Sequence, residues 1–370
     1  MEQLFIYMMI IAILSAKIIL YRIPTLVRQP ATKSFRKSIS IIVPVRNEEK
    51  NLPHLLASIQ KQTLKPDEII VVDDDSTDQT PKIARDFGAR VISLPEQGLN
   101  WVGKSAGCYV GAKEASTEWI YFIDADIMLP HEDSLYTILK AYENQNGQGI
   151  LSIQPFHKIT KFYENFSVIF NLLVFVGMNR FSILQNRLEA GGAFGPSLLV
   201  NRMEYFELGG HLSVKNQIME NIALGRLFLK NEKTVLLYGG EDVLHFRMYP
   251  DGFLSLFQGW TKSFASGSAS THPALLMAIS FWIAGSFISL IGVIYTSIIA
   301  NRNLQIISLI LYTLYGLQFY NMAKKVGNFN RLMIWLHPLY LIFFVVTFVY
   351  SFIQTFFVKS VSWKGRKVDL

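Results

Sequence analysis

The sequence predicts an α/β protein with a mostly parallel central sheet, anchored by apolar helices at both ends. Three observations carry this. Between residues 36 and 160, short β-rich runs alternate with segments of helical periodicity, the pattern of a sheet covered on both faces. Acid clusters close two of these runs, "VVDDD" and "YFIDAD", at the strand ends where ligands of parallel sheets bind. Four long stretches, Leu4 to Leu20, Ala274 to Ala300, Leu304 to Met322 and Leu332 to Val358, contain no charged residue except Lys17. Each approaches or exceeds the ~20 residues that cross a bilayer.

Taken in order, the first stretch lacks the basic lead and small-residue cleavage site of a secretory signal, so an uncleaved anchor over residues 1–22 is expected. Pro24 and Pro30 mark a linker. "SISIIVPV" (38–45) reads as a buried strand, and "NEEKNLPHLLASIQKQ" as a helix with Leu52, Leu55, Leu56 and Ile59 on one face. "DEIIVVDDD" is a second strand, "STDQTPKIARDFGA" opens a second helix, and "ARVISLP" is a third strand. "GKSAGCYVGAKEA" is a helix rich in small residues, and "EWIYFIDAD" is a fourth strand. Phe162, Phe166, Ile169, Phe170, Leu173 and Val176 recur at helical spacing, but the uncharged core from Asn165 to Asn179 is short for a span. An amphipathic helix in the membrane interface, about 162–181, is expected, with a core helix or a transmembrane segment as the alternatives. The expected layout is an anchor (1–22), a cytosolic α/β domain (36–265), transmembrane or re-entrant helices (274–358) and a basic cytosolic tail (359–370). A tail on the same side as residues 22–37 requires that one apolar stretch not cross, and His337-Pro338 makes Leu332 to Val358 the candidate for a break.

Of the 370 residues, 17% are charged, against about 25% in an average soluble protein, so a membrane protein is expected. The single cysteine, Cys108, excludes an internal disulfide and a cysteine zinc cluster. The net charge of +7 does not point to nucleic acid. Arg22, Arg28, Lys33, Arg36 and Lys37 follow the first apolar stretch, and Lys359, Lys364, Arg366 and Lys367 follow the last. Basic residues in such places mark cytoplasmic flanks and contact with anionic lipid. A multi-pass protein of the cell membrane, with its α/β domain on the cytoplasmic side, is expected.

The acid clusters suggest the chemistry. Asp124 and Asp126 flank Ala125 behind an apolar strand, and strand residues i and i+2 face the same way. Two like charges placed together need a counter-charge. A hard divalent cation, Mg²⁺ or Mn²⁺, shared with phosphate oxygens is the common solution. A D-x-D alone recurs by chance, but this one follows another strand-end acid cluster by about 50 residues. In that earlier cluster, "DDDSTD", a carboxylate can accept from a nucleobase or from ribose hydroxyls, while Ser76, Thr77 and Asp78 can cap the next helix.

In this order, "IIVPVRNEEKNL", "IIVVDDDSTDQT", "GKSAG" and "YFIDADIML" resemble the nucleotide-binding half of the family 2 glycosyltransferases, over about residues 38 to 130. The resemblance implies a GT-A fold. It places Pro44, Arg46, Glu48, Asp73, Asp74, Lys104 and Asp124 at the nucleotide and Asp126 on the metal-diphosphate. Asp75 departs from it, standing where the family usually has a small residue, often Gly. "GGAFGPSLLVNRMEYFELGGH" resembles the family's acceptor side, "IMENIALGRLF" falls where it carries Glu-Asp, and "QGWTK" resembles a short form of Gln-x-x-Arg-Trp. Glu220, Asn221, Trp260 and Lys262 are the catalytic candidates that follow. Asn221 replaces the family's expected general base, and an amide cannot take a proton at neutral pH. Glu220 substitutes for it, or the nucleophile arrives ionised, or residue 221 merely caps or packs. A wider similarity, to the carotenoid-acid glucosyltransferases of the family, rests on "ILSIQPFHKITKFYENFSVIFNLLVFVGMNRFS", "FRMYPDGFLSLFQGWTK" and "WKGR". It implies UDP-glucose as donor, a C30 carotenoid acid as acceptor and a glucosyl ester as product. Other enzymes of that pathway are candidate partners. A hydroxyl-bearing lipid of ceramide, diacylglycerol or hopanoid type is the alternative acceptor.

Overall fold

The computed structural model describes the chain except residues 1, 32–34, 36, 95–100, 102, 218, 262–270, 355–359, 364–365 and 370. The chain forms two units: an apolar unit of Met1–Ile23, His157–Gly191 and Met248–Leu370, and a sheet unit of Pro24–Phe156 and Gly192–Arg247.

In the apolar unit, α1 (Glu2–Ile19) and helices Pro273–Ile298, Arg302–Ala323 and Met333–Ile353 are each long and apolar enough to cross a membrane. Small residues let them approach closely: a Cβ at Gly285 would strike Ala12, and one at Gly292 would strike Phe5. Some polar atoms between these helices find partners in the absence of water, while Trp282 Nε1 and the Tyr340 hydroxyl have none among the described residues. Gln318 donates to the Ile13 carbonyl at 2.6 Å, and Ser286 Oγ lies 2.6 Å from His337 Nδ1. The break expected at His337-Pro338 does not form, because Met333–Ile353 runs through Pro338 as one helix.

The sheet unit opens with β1 (Ile39–Val45), buried except for half-buried Pro44. Next, α2 (Leu52–Gln60) buries Leu52, Leu55, Leu56 and Ile59, the face read from their spacing. Then come β2 (Glu68–Asp73), α3 (Thr80–Asp86), β3 (Arg90–Ser93), α4 (Lys104–Glu114) and β4 (Trp119–Ile123), in the expected order. The rest of the sheet unit was not assigned from sequence: β5 (Ile127–Met128), α5 (Ser134–Glu143), β6 (Ile150–Gln154) and β7 (Phe156–His157) come first. The chain then enters the apolar unit for α6 (Val168–Gly177) and returns with β8 (Ser197–Asn201), α7 (Arg202–Glu207), α8 (Glu220–Lys230), β9 (Val235–Gly239) and β10 (His245–Phe246).

The main sheet has the order β3-β2-β1-β4-β8-β6-β9. Four of its six pairings are parallel, so the mostly parallel sheet holds. The exception is β8, antiparallel to both β4 and β6. An apolar run reads the same in either direction, so its reversal leaves no mark on the sequence. The small residues of α4 are explained by its seat on the sheet. A Cβ at Gly107 would press on Pro44, and one at Gly111 would strike Ile42. The helix therefore lies close on β1, with Lys104 at its first position.

The segment around 162–181 differs from the long amphipathic helix expected there. It divides into a 3₁₀ turn, Phe162–Ser167, and α6. Within α6 only Leu173 and Val174 are partly exposed. Phe170 stacks on Trp260 of α9 (Phe253–Thr261) with ring centroids 4.6 Å apart, and packs edge-on against Phe344 at 5.2 Å. Apart from Phe162, which is 52% exposed, the apolar stripe is largely covered by the unit's own aromatic side chains, which gives the core-helix alternative its support.

Candidate active site

Because β1, β2 and β4 are parallel, their carboxyl ends share one edge of the sheet. Arg46 follows β1 there, Asp73 ends β2 and Asp124 follows β4. The first two ends are tied together. The Arg46 guanidinium donates to the Asp74 carbonyl at 2.5 Å and lies 3.4 Å from the Asp75 carboxylate. The backbone N–H groups of Asn47, Glu48 and Glu49 donate to the side chains of Ser76, Thr80 and Asp78. Burial raises the Asp78 pKa, but hydrogen bonds from Thr80 and Glu49 outweigh it and hold the carboxyl below its ordinary value. Asp78 thus serves the loop as well as the helix start.

Asp73 and Asp74 are each 6% exposed, hence nearly withdrawn from water. Among the described residues, the buried Asp73 Oδ1 has no protein donor. An orphan buried acceptor suits an N–H or hydroxyl of a ligand.

The departure at Asp75 has a conformational basis. Its φ is +58°, in the left-handed region. Gly is favoured there, and Asp is among the few other residues that enter it at modest cost. Asp75→Gly is expected to change stability by less than ~0.5 kcal/mol, and Asp75→Val to cost about 1–2 kcal/mol. Thermal unfolding of the detergent-solubilised protein checks both, and a Val variant as stable as the parent would refute the conformational account.

At the third strand end, β4 stops at Ile123 and Asp124 begins a turn, its carbonyl accepting from Ile127 N–H at 3.2 Å. The two aspartates therefore occupy a turn rather than alternate along a strand. Lys104 reaches Asp124, with Nζ 2.6 Å from Oδ1 and 2.8 Å from Oδ2, and also donates to the Gly195 carbonyl at 2.9 Å. Burial pulls the lysine pKa down, but Asp124 and Glu220 more than offset it and keep the ammonium charged. The counter-charge for Asp124 is thus a lysine of its own chain. Asp126 is left less well balanced. Burial and the charges of Asp124 and Glu48 push its carboxyl up to about 7, with Lys104 working against them. Among the described residues, no three His, Cys, Asp or Glu side chains gather as a metal cage. The donor set instead suits a Mg²⁺ or Mn²⁺ held by one or two carboxylates and completed by phosphate and water.

Asn221, in the first turn of α8, is 4% exposed. Its Nδ2 donates to the Gly195 carbonyl at 3.2 Å, and its Oδ1 lies 3.2 Å from His211 Nε2. His211 is fully buried, with Nδ1 2.8 Å from the Tyr205 hydroxyl. Burial pushes the imidazole down to about 3 and the Lys104 charge adds to this, against the Asn221 bond, so the ring is neutral. Glu220, the first residue of α8, is half-buried, and its charge is felt at Lys104. The glycines of "GGAFG" let the chain meet α8 backbone to backbone: Gly192 has φ +143°, and a Cβ there would strike the backbone of Ile222.

The structure therefore gathers Glu48, Lys104, Asp124, Asp126, Glu220 and Asn221 around one electrostatic centre. Trp260 belongs to the apolar unit, where its indole N–H donates to Ser167 Oγ at 3.0 Å. Lys262 lies outside the described residues. Sequence reasoning missed Tyr205, His211 and the Gly195 carbonyl. All three fall inside "GGAFGPSLLVNRMEYFELGGH", but nothing in the spacing tells a buried, bonded histidine from a packing one.

Comparison with known proteins shows the family. Residues 40–197 match the model of Glycosyl transferase family 2. The 4,4'-diaponeurosporenoate glycosyltransferase of Staphylococcus aureus strain USA300 is 40% identical over 336 residues, covering 90% of this chain and 89% of that protein. Its counterpart from the bovine strain RF122 / ET3-1 is 39% identical over the same span. Among solved structures, the mannosyltransferase PcManGT from Pyrobaculum calidifontis, in complex with GDP-Man and Mn²⁺, matches with a TM-score of 0.54 and 15% identity over 96% of each chain. That likeness is one of fold. With nine-tenths of its length aligned to such relatives, this chain belongs to the family 2 glycosyltransferases and has the GT-A fold.

Proposed function

We propose that this glycosyltransferase moves glucose from UDP-glucose to the carboxylate of a C30 carotenoid acid, giving a glucosyl ester with inversion at the anomeric carbon. The similarity to the staphylococcal diaponeurosporenoate glycosyltransferases supports the acceptor class. The observation that carries the reading is the state of Asn221, whose amide is committed to Gly195 and His211. A hydroxyl nucleophile generally needs a base. A carboxylic acid, with a pKa of roughly 4 to 5, is already ionised near pH 7. A carboxylate oxygen then bonds to the anomeric carbon as the carbon–phosphate oxygen bond breaks. UDP departs with the electron pair, and no proton has to move.

Asp73 and Asp74 would receive the nucleoside, Arg46 would hold their loop against β1, and Glu48 and Pro44 would border the site. Lys104 would meet the charge developing on the diphosphate. A divalent cation at Asp126, beside Asp124, would neutralise the rest, a reading to which the Mn²⁺ in the PcManGT complex lends support. The roles of Trp260 and Lys262, toward acceptor and leaving group, rest on the resemblance of "QGWTK" to Gln-x-x-Arg-Trp alone. The sheet unit would work on the cytoplasmic side while the polyene keeps its chain in the bilayer. Other enzymes of carotenoid synthesis would be its neighbours there.

The test is transfer of labelled glucose from UDP-glucose in membranes with Mn²⁺, with and without EDTA, offering a carotenoid acid beside ceramide and diacylglycerol. Alkali-labile, EDTA-sensitive label in the carotenoid ester is expected. Label in a hydroxyl-linked glycolipid would overturn the acceptor. Glu220→Gln separates the two chemistries. It is expected to keep turnover within about threefold, whereas loss of a working base costs about 10²–10⁴-fold. A loss of that size with UDP binding intact would make Glu220 the base.

A further inference from the structure

The buried bonds behind Lys104 form one directed chain. A carbonyl can only accept, so the amide of Asn221 presents Nδ2–H to Gly195 and leaves Oδ1 toward His211. His211 must then donate from Nε2, and its Nδ1 accepts the Tyr205 hydroxyl proton. Tyr205 and His211 are fully buried, and the same Gly195 carbonyl also accepts from Lys104 Nζ at 2.9 Å. The carbonyl is thus shared between a neutral internal chain and the Lys104 ammonium that contacts Asp124. The loop lies close against α8 here, since a Cβ at Gly192 would strike the Ile222 backbone.

We propose that His211 and Asn221 are positioning residues, which orient the Gly195 carbonyl and through it hold the Lys104 ammonium where a nucleoside diphosphate binds. This rests on the reading of Lys104 given above. The Asn221 amide is the element that sets direction. An Asp there would turn a carboxylate oxygen on the carbonyl and withdraw the donor, while keeping the shape.

The test uses full-length protein in detergent and calorimetric titration with UDP and with UMP, both with Mn²⁺. Asn221→Asp is expected to weaken UDP binding about tenfold, the worth of one hydrogen bond beside a charge, with UMP unchanged. Two histidine variants separate positioning from packing. Gln carries its amide N–H near the Nε2 position and keeps the bond to Asn221; Asn reaches only the Nδ1 position. His211→Gln should bind UDP within about threefold of the parent, and His211→Asn should lose about tenfold. Equal losses for UDP and UMP, or no loss in any variant, would overturn the proposal. If the parent ignores UDP, the donor reading fails instead. The same comparison with GDP or ADP, whichever binds, then decides the relay.

Discussion

Asp126→Asn is expected to lower turnover about a thousandfold while leaving the metal-free protein as stable as the parent, or more so. The two halves of this result have one cause. Burial together with Asp124 and Glu48 raises the Asp126 carboxyl to about 7, so its charge is unfavourable in the folded chain until a cation arrives. A carboxyl raised above its unfolded value near 3.9 adds no penalty below that pH. The penalty grows as pH rises from about 4 to 7, because the native state then binds more protons than the unfolded one. Above about 7 it is constant. In EDTA the parent should therefore lose stability over this window relative to Asp126→Asn. A difference of about 1–2 kcal/mol at pH 8 is reasonable, since the side chain keeps some contact with water. With Mn²⁺ and UDP present the order should reverse, because only the parent gains from binding. Melting temperatures at pH 5 and pH 8, with and without the ligands, check this. A variant that melts well below the parent in EDTA at pH 8 would show that the Asp126 charge is already compensated inside the protein, and the metal assignment would lose its main physical support.

What the sequence disclosed follows from which interactions are local. β1 to β4 and their helices were legible because each buries a face within its own few residues. Leu52, Leu55, Leu56 and Ile59 are one turn apart and buried together. The acid clusters were legible because a carboxylate beside an apolar strand is conspicuous in any context. Three features were not. The Asp124–Asp126 turn depends on where β4 stops, and the expectation of a shared strand face failed there. The partner of Asp124 lies 20 residues upstream, so the counter-charge sought outside the chain is partly inside it. The role of Asn221 is set by His211 and Gly195, a contact that no periodicity announces. In the apolar unit, periodicity alone could not say whether the stripe of α6 faces lipid or Trp260 and Phe344.

Lys104→Met is the variant expected to damage both stability and turnover, and a second substitution should separate the two. Removing the ammonium leaves the Asp124 carboxylate without its 2.6 Å partner and next to Asp126. Breaking a fully buried pair costs about 3–5 kcal/mol. Here the side chains retain 26% and 29% exposure, so about 1–3 kcal/mol is expected. Loss of a charge aimed at a leaving diphosphate should cost a further 10²–10³-fold or so in turnover. Adding Asp124→Asn removes the stranded charge, and the double variant should recover most of the lost stability. Turnover should stay low, because the diphosphate still lacks its cation. Lys104→Arg restores charge but not shape: a planar fork cannot meet the Asp124 carboxylate and the Gly195 carbonyl as a point-like ammonium does, so partial activity is expected. If the double variant regained turnover along with stability, Lys104 would be a counter-ion for Asp124 and nothing more. Transition-state charge would then have to fall on the metal at Asp126 alone, and the relay behind Gly195 would have no function to serve.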